Sequence, residues 1–172
     1  VRHLEPMGFI KFDILGLASL RMMELAIRHI LKRHHGNPDP SFDDVRKFYN
    51  ENLHPEVLNF ADQEVYQNIF HDGKWVGIFQ FTEGGAQKLC QRVMPTNLVD
   101  LSAITSIYRP GPLSAGVDKG YVEARRDPEL VEYPHELFRQ VTKDTAGFLI
   151  FQEQIAELAH KLGRNLTLDE GN

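Results

Sequence analysis

Gly8-Phe9-Ile10-Lys11-Phe12-Asp13-Ile14-Leu15-Gly16-Leu17 places one cation and one carboxylate, two residues apart, inside an otherwise apolar run. Alternate side chains of a β-strand share a face. A strand here would turn Phe9, Lys11 and Asp13 one way and Ile10, Phe12 and Ile14 the other. Ionised groups on a largely buried strand are usually paired, metal-bound or catalytic, because an isolated buried charge is costly. Spacing alone leaves two readings open: a surface strand with a simple Lys–Asp ion pair, or a functional pair on a core strand. The alternation predicts a leading strand whose sheet lies elsewhere, since one strand cannot bury both of its faces.

Downstream the pattern becomes helical. Leu20, Met23, Ile27, Ile30 and Leu31 form one face of an amphipathic helix, stopped by Gly36 and Pro38. Ser41 reads as the cap of a short helix through Tyr49, and Asp62 as the cap of another that ends at Gly73. Trp75-Val76-Gly77-Ile78-Phe79 is the second, minor strand candidate. Residues 83–94 are helical in pattern up to Pro95. Asn97 caps a further helix that Arg109-Pro110-Gly111-Pro112 must end. Helices follow from Ser114 to Arg126, from His135 to Val141 and from Gln152 to Leu162. In the last of these Ile155, Leu158, Ala159 and Leu162 are expected to face inward. The expected fold is mainly α, with one leading β-strand and one minor strand.

Composition limits the possible functions. The chain has 172 residues, 42% hydrophobic and 25% charged, which fits one globular domain or a small piece joined to one. It has no apolar run of the roughly 20 residues needed to span a bilayer and no signal-peptide pattern, so a membrane role is not expected and a cytoplasmic setting is. Cys90 is the single cysteine, which excludes an internal disulfide and reads as a buried filler. A formal net charge of −5 argues against a free-standing basic nucleic-acid binder, while leaving local basic patches possible. No zinc-type histidine spacing and no G-x-S-x-G elbow occur. The start at Val1 and the cap-like Thr167 near the end, followed by Asp169 and Glu170, lead to the expectation that the chain is a piece of a longer one.

The first block, read with Gly77-Ile78-Phe79-Gln80-Phe81, Ser106-Ile107-Tyr108-Arg109-Pro110-Gly111-Pro112-Leu113 and Thr145-Ala146-Gly147-Phe148-Leu149-Ile150-Phe151-Gln152-Glu153-Gln154, resembles the bacterial replicative DNA polymerase III α-subunit family (C-family, DnaE-like branch). The four blocks follow that family's order across nearly the whole chain. Phe151 stands where the family usually has Tyr, and Phe81-Thr82-Glu83-Gly84-Gly85 departs from the usual L-E-S-x-G. The resemblance implies that residues 1–18 end the palm and residues 19–172 are the front part of the helical fingers. It implies template-directed transfer of deoxynucleotides to a primer 3′-hydroxyl by two-metal phosphoryl transfer.

Under that resemblance Asp13 is a catalytic aspartate and a ligand of Mg²⁺, in a two-metal site left incomplete because the family's Asp-x-Asp pair has no counterpart here. Lys11 and Arg109 bind the incoming nucleotide. The implied partners are primer-template DNA, deoxynucleoside triphosphates, a sliding clamp and a proofreading exonuclease. Each residue also has a plainer reading. Lys11 and Asp13 can simply pair. Arg109 can cap helix carbonyls, although a guanidinium fixed before a rigid Pro-Gly-Pro turn is also well placed to fork onto phosphate oxygens. Gln152, Glu153 and Gln154 are expected to be structural first. Lys88, Arg92, Lys119, Arg125 and Arg126 are candidates to line a DNA backbone channel, or are surface charge. The chain on its own is expected not to extend a primer. The competing class is a non-catalytic helical interaction module of the same ancestry.

Overall fold

The computed structural model describes residues 4–163, 166–169 and 171. They fall into two compact units, Val1–Leu58 and Asn59–Asn172. The expected helix start at Thr167 runs into positions outside the described residues.

In the first unit, α1 (Ala18–His34) and α2 (Phe42–Asn52) pack together. Ser41 opens α2 with a reciprocal capping box: its Oγ accepts from the Asp44 N–H at 3.2 Å, and the Asp44 carboxylate accepts from the Ser41 N–H at 2.8 Å. Ile27 and Leu31 of α1 meet Val45 of α2, with Phe48, Tyr49 and Leu53 around them. The Arg28 guanidinium bonds both Glu24 on α1 and the Pro40 carbonyl in the connecting turn. Lys32, Arg33 and His34 occupy the last turn of α1, where cations suit the helix dipole.

The second unit holds the larger core. A helix opens at Gln63–Val65 (α3), capped by Asp62, and widens into π-helical turns over Tyr66–His71. It packs against α4 (Gly84–Val93), which also packs against α5 (Leu98–Ile107) and α7 (Val117–Arg126). Leu89, Cys90 and Val93 of α4, Ala103, Ile104 and Ile107 of α5, and Tyr121 and Val122 of α7 fill the space between them. The short α6 (Pro110–Ser114) links α5 to α7. The pair α8 (Glu136–Thr142) and α9 (Gln152–Leu162) closes the unit.

Neither expected strand forms. Among the described residues there is no β-strand, so the mainly helical expectation holds and the two-strand part is corrected. Residues 9–17 run without regular structure, with Phe12 82% and Ile14 95% exposed. The alternating pattern there meets no neighbouring strand, and a lone strand leaves its N–H and C=O groups to water. Residues 75–81 form turns instead: the Ile78 N–H donates to the Trp75 carbonyl at 3.0 Å, and Phe81 to Ile78 at 3.3 Å. Positive φ at Gly77 and Gln80 breaks the extended alternation and leaves Val76 99% exposed. The turn brings Trp75 flat onto Phe81, ring centroids 5.6 Å apart.

The inward face of α9 also differs from expectation. Gln154 and Ala156 are buried, while Ile155 and Leu162 are exposed. The helix is oriented by the polar contacts of Gln154 rather than by its apolar stripe.

Candidate functional site

The joint between α5 and α6 fixes Arg109. Asn97 caps α5 by accepting from the Asp100 N–H at 2.9 Å, and the buried Ala103, Ile104 and Ile107 hold the helix to the core. At the far end the Tyr108 N–H still reaches the Ile104 carbonyl. The Arg109 N–H turns back to Ile107 at 2.7 Å. Pro110 then occupies the first turn of α6, where its missing N–H is no loss, and its ring holds Arg109 extended at φ −130° and ψ 153°. The backbone of Arg109 is thus constrained from both sides, while its side chain is exposed and makes no hydrogen bond or ion pair among the described residues. The cap role weighed for it in the sequence is taken by backbone groups.

Arg109 borders an open cavity of about 540 Å³, also lined by Gln80, Thr82, Glu83, Thr105 and Tyr108. Gln80 is held in the left-handed region at φ 64°, unusual for a residue with a side chain. The cavity wall therefore carries one cation, one carboxylate and several neutral hydrogen-bonding groups. It can take an anion beside Arg109, with Glu83 setting a limit on how far negative charge extends.

Lys11 and Asp13 lie in the first unit and pair with each other, Nζ to Oδ1 at 3.1 Å, with side chains 58% and 67% exposed. This is the simple ion pair that spacing had left open. A two-metal phosphoryl-transfer centre needs several carboxylates around ions about 4 Å apart. Among the described residues no group of three or more His, Cys, Asp or Glu is placed to hold a metal. The residues present do not by themselves fit a Mg²⁺ pair.

Among the other candidates Gln154 is structural. The buried Gln154 amide accepts from the N–H groups of Ile150 and Phe151 at 2.9 and 3.0 Å, and donates to the Val141 carbonyl and Thr145 Oγ1 at 3.1 and 2.8 Å. Thr145 in turn donates to the Phe148 carbonyl. The Thr145-to-Gln154 block is thus a closed polar knot that seats α9 on α8, while Gln152 and Glu153 are exposed. Arg92 pairs with Asp118 at 3.5 Å, which leaves Lys88, Lys119 and Arg126 as the exposed basic residues of that group with no ion pair among the described residues.

Arg125 is drawn inward to Asp100, 2.7 Å away. The fully buried Asp100 carboxylate also accepts from Thr96 N–H, Thr96 Oγ1 and Asn97 Nδ2, and so joins α5, its cap and α7. Sequence reading passed over Asp100; an acid three residues after an asparagine cap was the available signal. Beside it, burial pushes the Tyr121 hydroxyl up to about 12, with the Asp100 charge adding to the shift and Arg125 opposing it. Burial alone likewise pushes the Cys90 thiol up to about 12, which suits an inert core residue. No described helix is long and apolar enough to cross a membrane.

Fold and cavity together define a helical module with an arginine-bearing cleft. Its sequence matches the model of the bacterial DNA polymerase III alpha subunit finger domain over residues 39–171, and the chain belongs to that family. It is 32% identical over 161 residues to DNA polymerase III subunit alpha of Campylobacter jejuni, covering 94% of this chain and 12% of the relative. The same subunit of Aquifex aeolicus is 31% identical over 160 residues, covering 93% and 12%. That of Staphylococcus aureus is 33% identical over 155 residues, covering 90% and 13%. The chain therefore spans only about an eighth of the length of these relatives.

Proposed function

We propose that the chain serves, within a longer polypeptide, as the fingers region of a replicative DNA-directed DNA polymerase, and that its cavity receives the triphosphate of an incoming deoxynucleotide. In the reaction the primer 3′-hydroxyl attacks the α-phosphorus and pyrophosphate leaves. Catalysis of this kind is mostly positioning and charge stabilisation. Arg109 holds the β- and γ-phosphate oxygens of the bound nucleotide. Residues 1–18 end the palm, with Asp13 contributing one metal-binding carboxylate to a set completed outside this chain and Lys11 lying on the nucleotide side. Primer-template DNA, a sliding clamp and a proofreading exonuclease are the partners, in the cytoplasm.

The observation that carries this reading is Arg109 itself. Its backbone is fixed between α5 and Pro110, yet its side chain makes no ion pair among the described residues and the residue lines a cavity, in a chain of this family. Arg125, by contrast, is turned inward and tied to Asp100. The test is Arg109→Ala in the complete polymerase. Loss of a charge-assisted contact worth about 1.5–3 kcal/mol raises the KM for deoxynucleotides by roughly 10- to 150-fold. An unchanged KM would remove Arg109 from the site.

A further inference from the structure

Tyr108, the residue immediately before Arg109, lies against the first turn of α4. A Cβ built on Gly85 would stand 2.6 Å from Tyr108 Cζ and 2.7 Å from Cε2, and nearer still to the hydroxyl oxygen. These are separations that real side chains do not reach, so the phenol occupies the space that any other residue at 85 would need. Gly84, one position earlier in the same helix, has nothing within 4 Å of its would-be Cβ. Neither glycine has a positive φ. Position 85 thus has no room for a Cβ unless the Tyr108 phenol shifts, whereas position 84 is open.

The consequence falls on the cavity. Tyr108 closes α5 and lines the cavity, and Arg109 follows it directly. Arg109 has little freedom to compensate, since its N–H is tied to Ile107 and its extended backbone is set by Pro110. A side chain at 85 forces one of two changes. Either the Tyr108 ring swings toward the cavity, or the α5–α6 joint moves away from α4; both alter where the guanidinium sits. Packed interfaces transmit such shifts instead of absorbing them.

We propose that Gly85 is a positioning residue for nucleotide binding: its bare backbone seats the Tyr108 ring, and that seat directs Arg109 into the cavity. This rests on the reading of Arg109 as a triphosphate ligand. Gly85 touches no nucleotide itself and acts only through Tyr108.

The test is steady-state primer extension by the complete polymerase carrying Gly84→Ala, Gly85→Ala, Tyr108→Ala, the Gly85→Ala/Tyr108→Ala double variant, or Arg109→Ala, with the affinity for primer-template measured alongside. Gly84→Ala is expected to stay within about twofold of the parent, because both alanines gain the same helix propensity and only one meets a ring. Gly85→Ala is expected to raise the nucleotide KM about tenfold, with kcat and DNA affinity nearly unchanged. The double variant is expected to match Tyr108→Ala within about twofold, since the alanine at 85 has nothing left to displace. That comparison carries the test even if Gly85→Ala alone fails to fold. A KM for Gly85→Ala equal to that of Gly84→Ala overturns the proposal. So do additive effects in the double variant, or a loss of thermal stability and kcat with KM unmoved, which would make Gly85 a packing residue only. If Arg109→Ala raises KM while Gly85→Ala is silent, the positioning role alone falls. If Arg109→Ala is itself silent, the reading of the cavity falls and takes this inference with it.

Discussion

Replacing Gln154 with leucine tests whether the Thr145-to-Gln154 block is structural. The side chain is buried and makes four hydrogen bonds, three of them to backbone groups of residues 141, 150 and 151. Leucine keeps the volume but orphans those three groups; Thr145 loses a donor yet still donates to the Phe148 carbonyl. At about 1–3 kcal/mol for each unpaired buried group, the gross loss is near 6 kcal/mol. A buried leucine returns about 2 kcal/mol, which leaves a net destabilisation of about 4 kcal/mol. Domains of this size are stable by only about 5–15 kcal/mol, so the change is large. Urea unfolding followed by the fluorescence of Trp75, the single tryptophan, reads it directly, because Trp75 packs against the core of the same unit. A loss below about 1 kcal/mol would mean that water or a relaxed loop satisfies those groups and that the block is not held by Gln154. Gln154→Glu should retain the two acceptances but set a carboxylate oxygen against the Val141 carbonyl. It should therefore be destabilising at neutral pH and partly recover as acid protonates it.

Four further outcomes are expected. Asp100→Leu should destabilise by about 3–5 kcal/mol because it strands a half-buried arginine, and Arg125→Met by clearly less, since Asp100 keeps its Thr96 and Asn97 donors; equal losses in denaturant melts would contradict this. Cys90 should resist thiol reagents at pH 8 in the folded chain and react once urea unfolds it; fast labelling of the native protein would show that its burial is wrong. The Ser41 hydroxyl, first among several partners, holds the Asp44 carboxyl below its ordinary 3.8, so the stability of α2 is present above that value and is lost as pH falls beneath it. Ser41→Ala should flatten this acid limb in circular dichroism, and an unaltered limb would assign it to another group. Glu83→Gln, in the complete polymerase, removes a carboxylate from the cavity wall and should lower the nucleotide KM a few-fold; a rise would make Glu83 a needed ligand.

Local chemistry was readable and tertiary choice was not. Ser41, Asp62 and Asn97 were identifiable as caps because a cap acts on backbone within three residues of itself. The apolar stripe of α1 included Ile27 and Leu31, which reach the core, but also Leu20, Met23 and Ile30, which stay exposed. The alternation of residues 9–14 states which faces a strand would have but not whether a sheet is there to receive it. In α9 the helical period pointed to Ile155 and Leu162, while the buried position went to a glutamine. The reason lies in two backbone N–H groups just before the helix that need an acceptor, which no hydrophobic pattern reports. Pro110 was legible as the end of one helix, and equally starts the next. Arg125 reads from sequence as surface charge or a DNA contact because its partner Asp100 lies 25 residues away. For the site, the position of Arg109 before the Pro-Gly-Pro turn was legible, but the seat of Tyr108 on Gly85 depends on two helices meeting.

Whether Arg109 meets the triphosphate is decided by the nucleotide dependence of primer extension by the complete polymerase carrying Arg109→Ala. The KM for deoxynucleotide should rise at least about tenfold with primer-template affinity intact. An unchanged KM, or a loss of primer-template binding in its place, would contradict that contact.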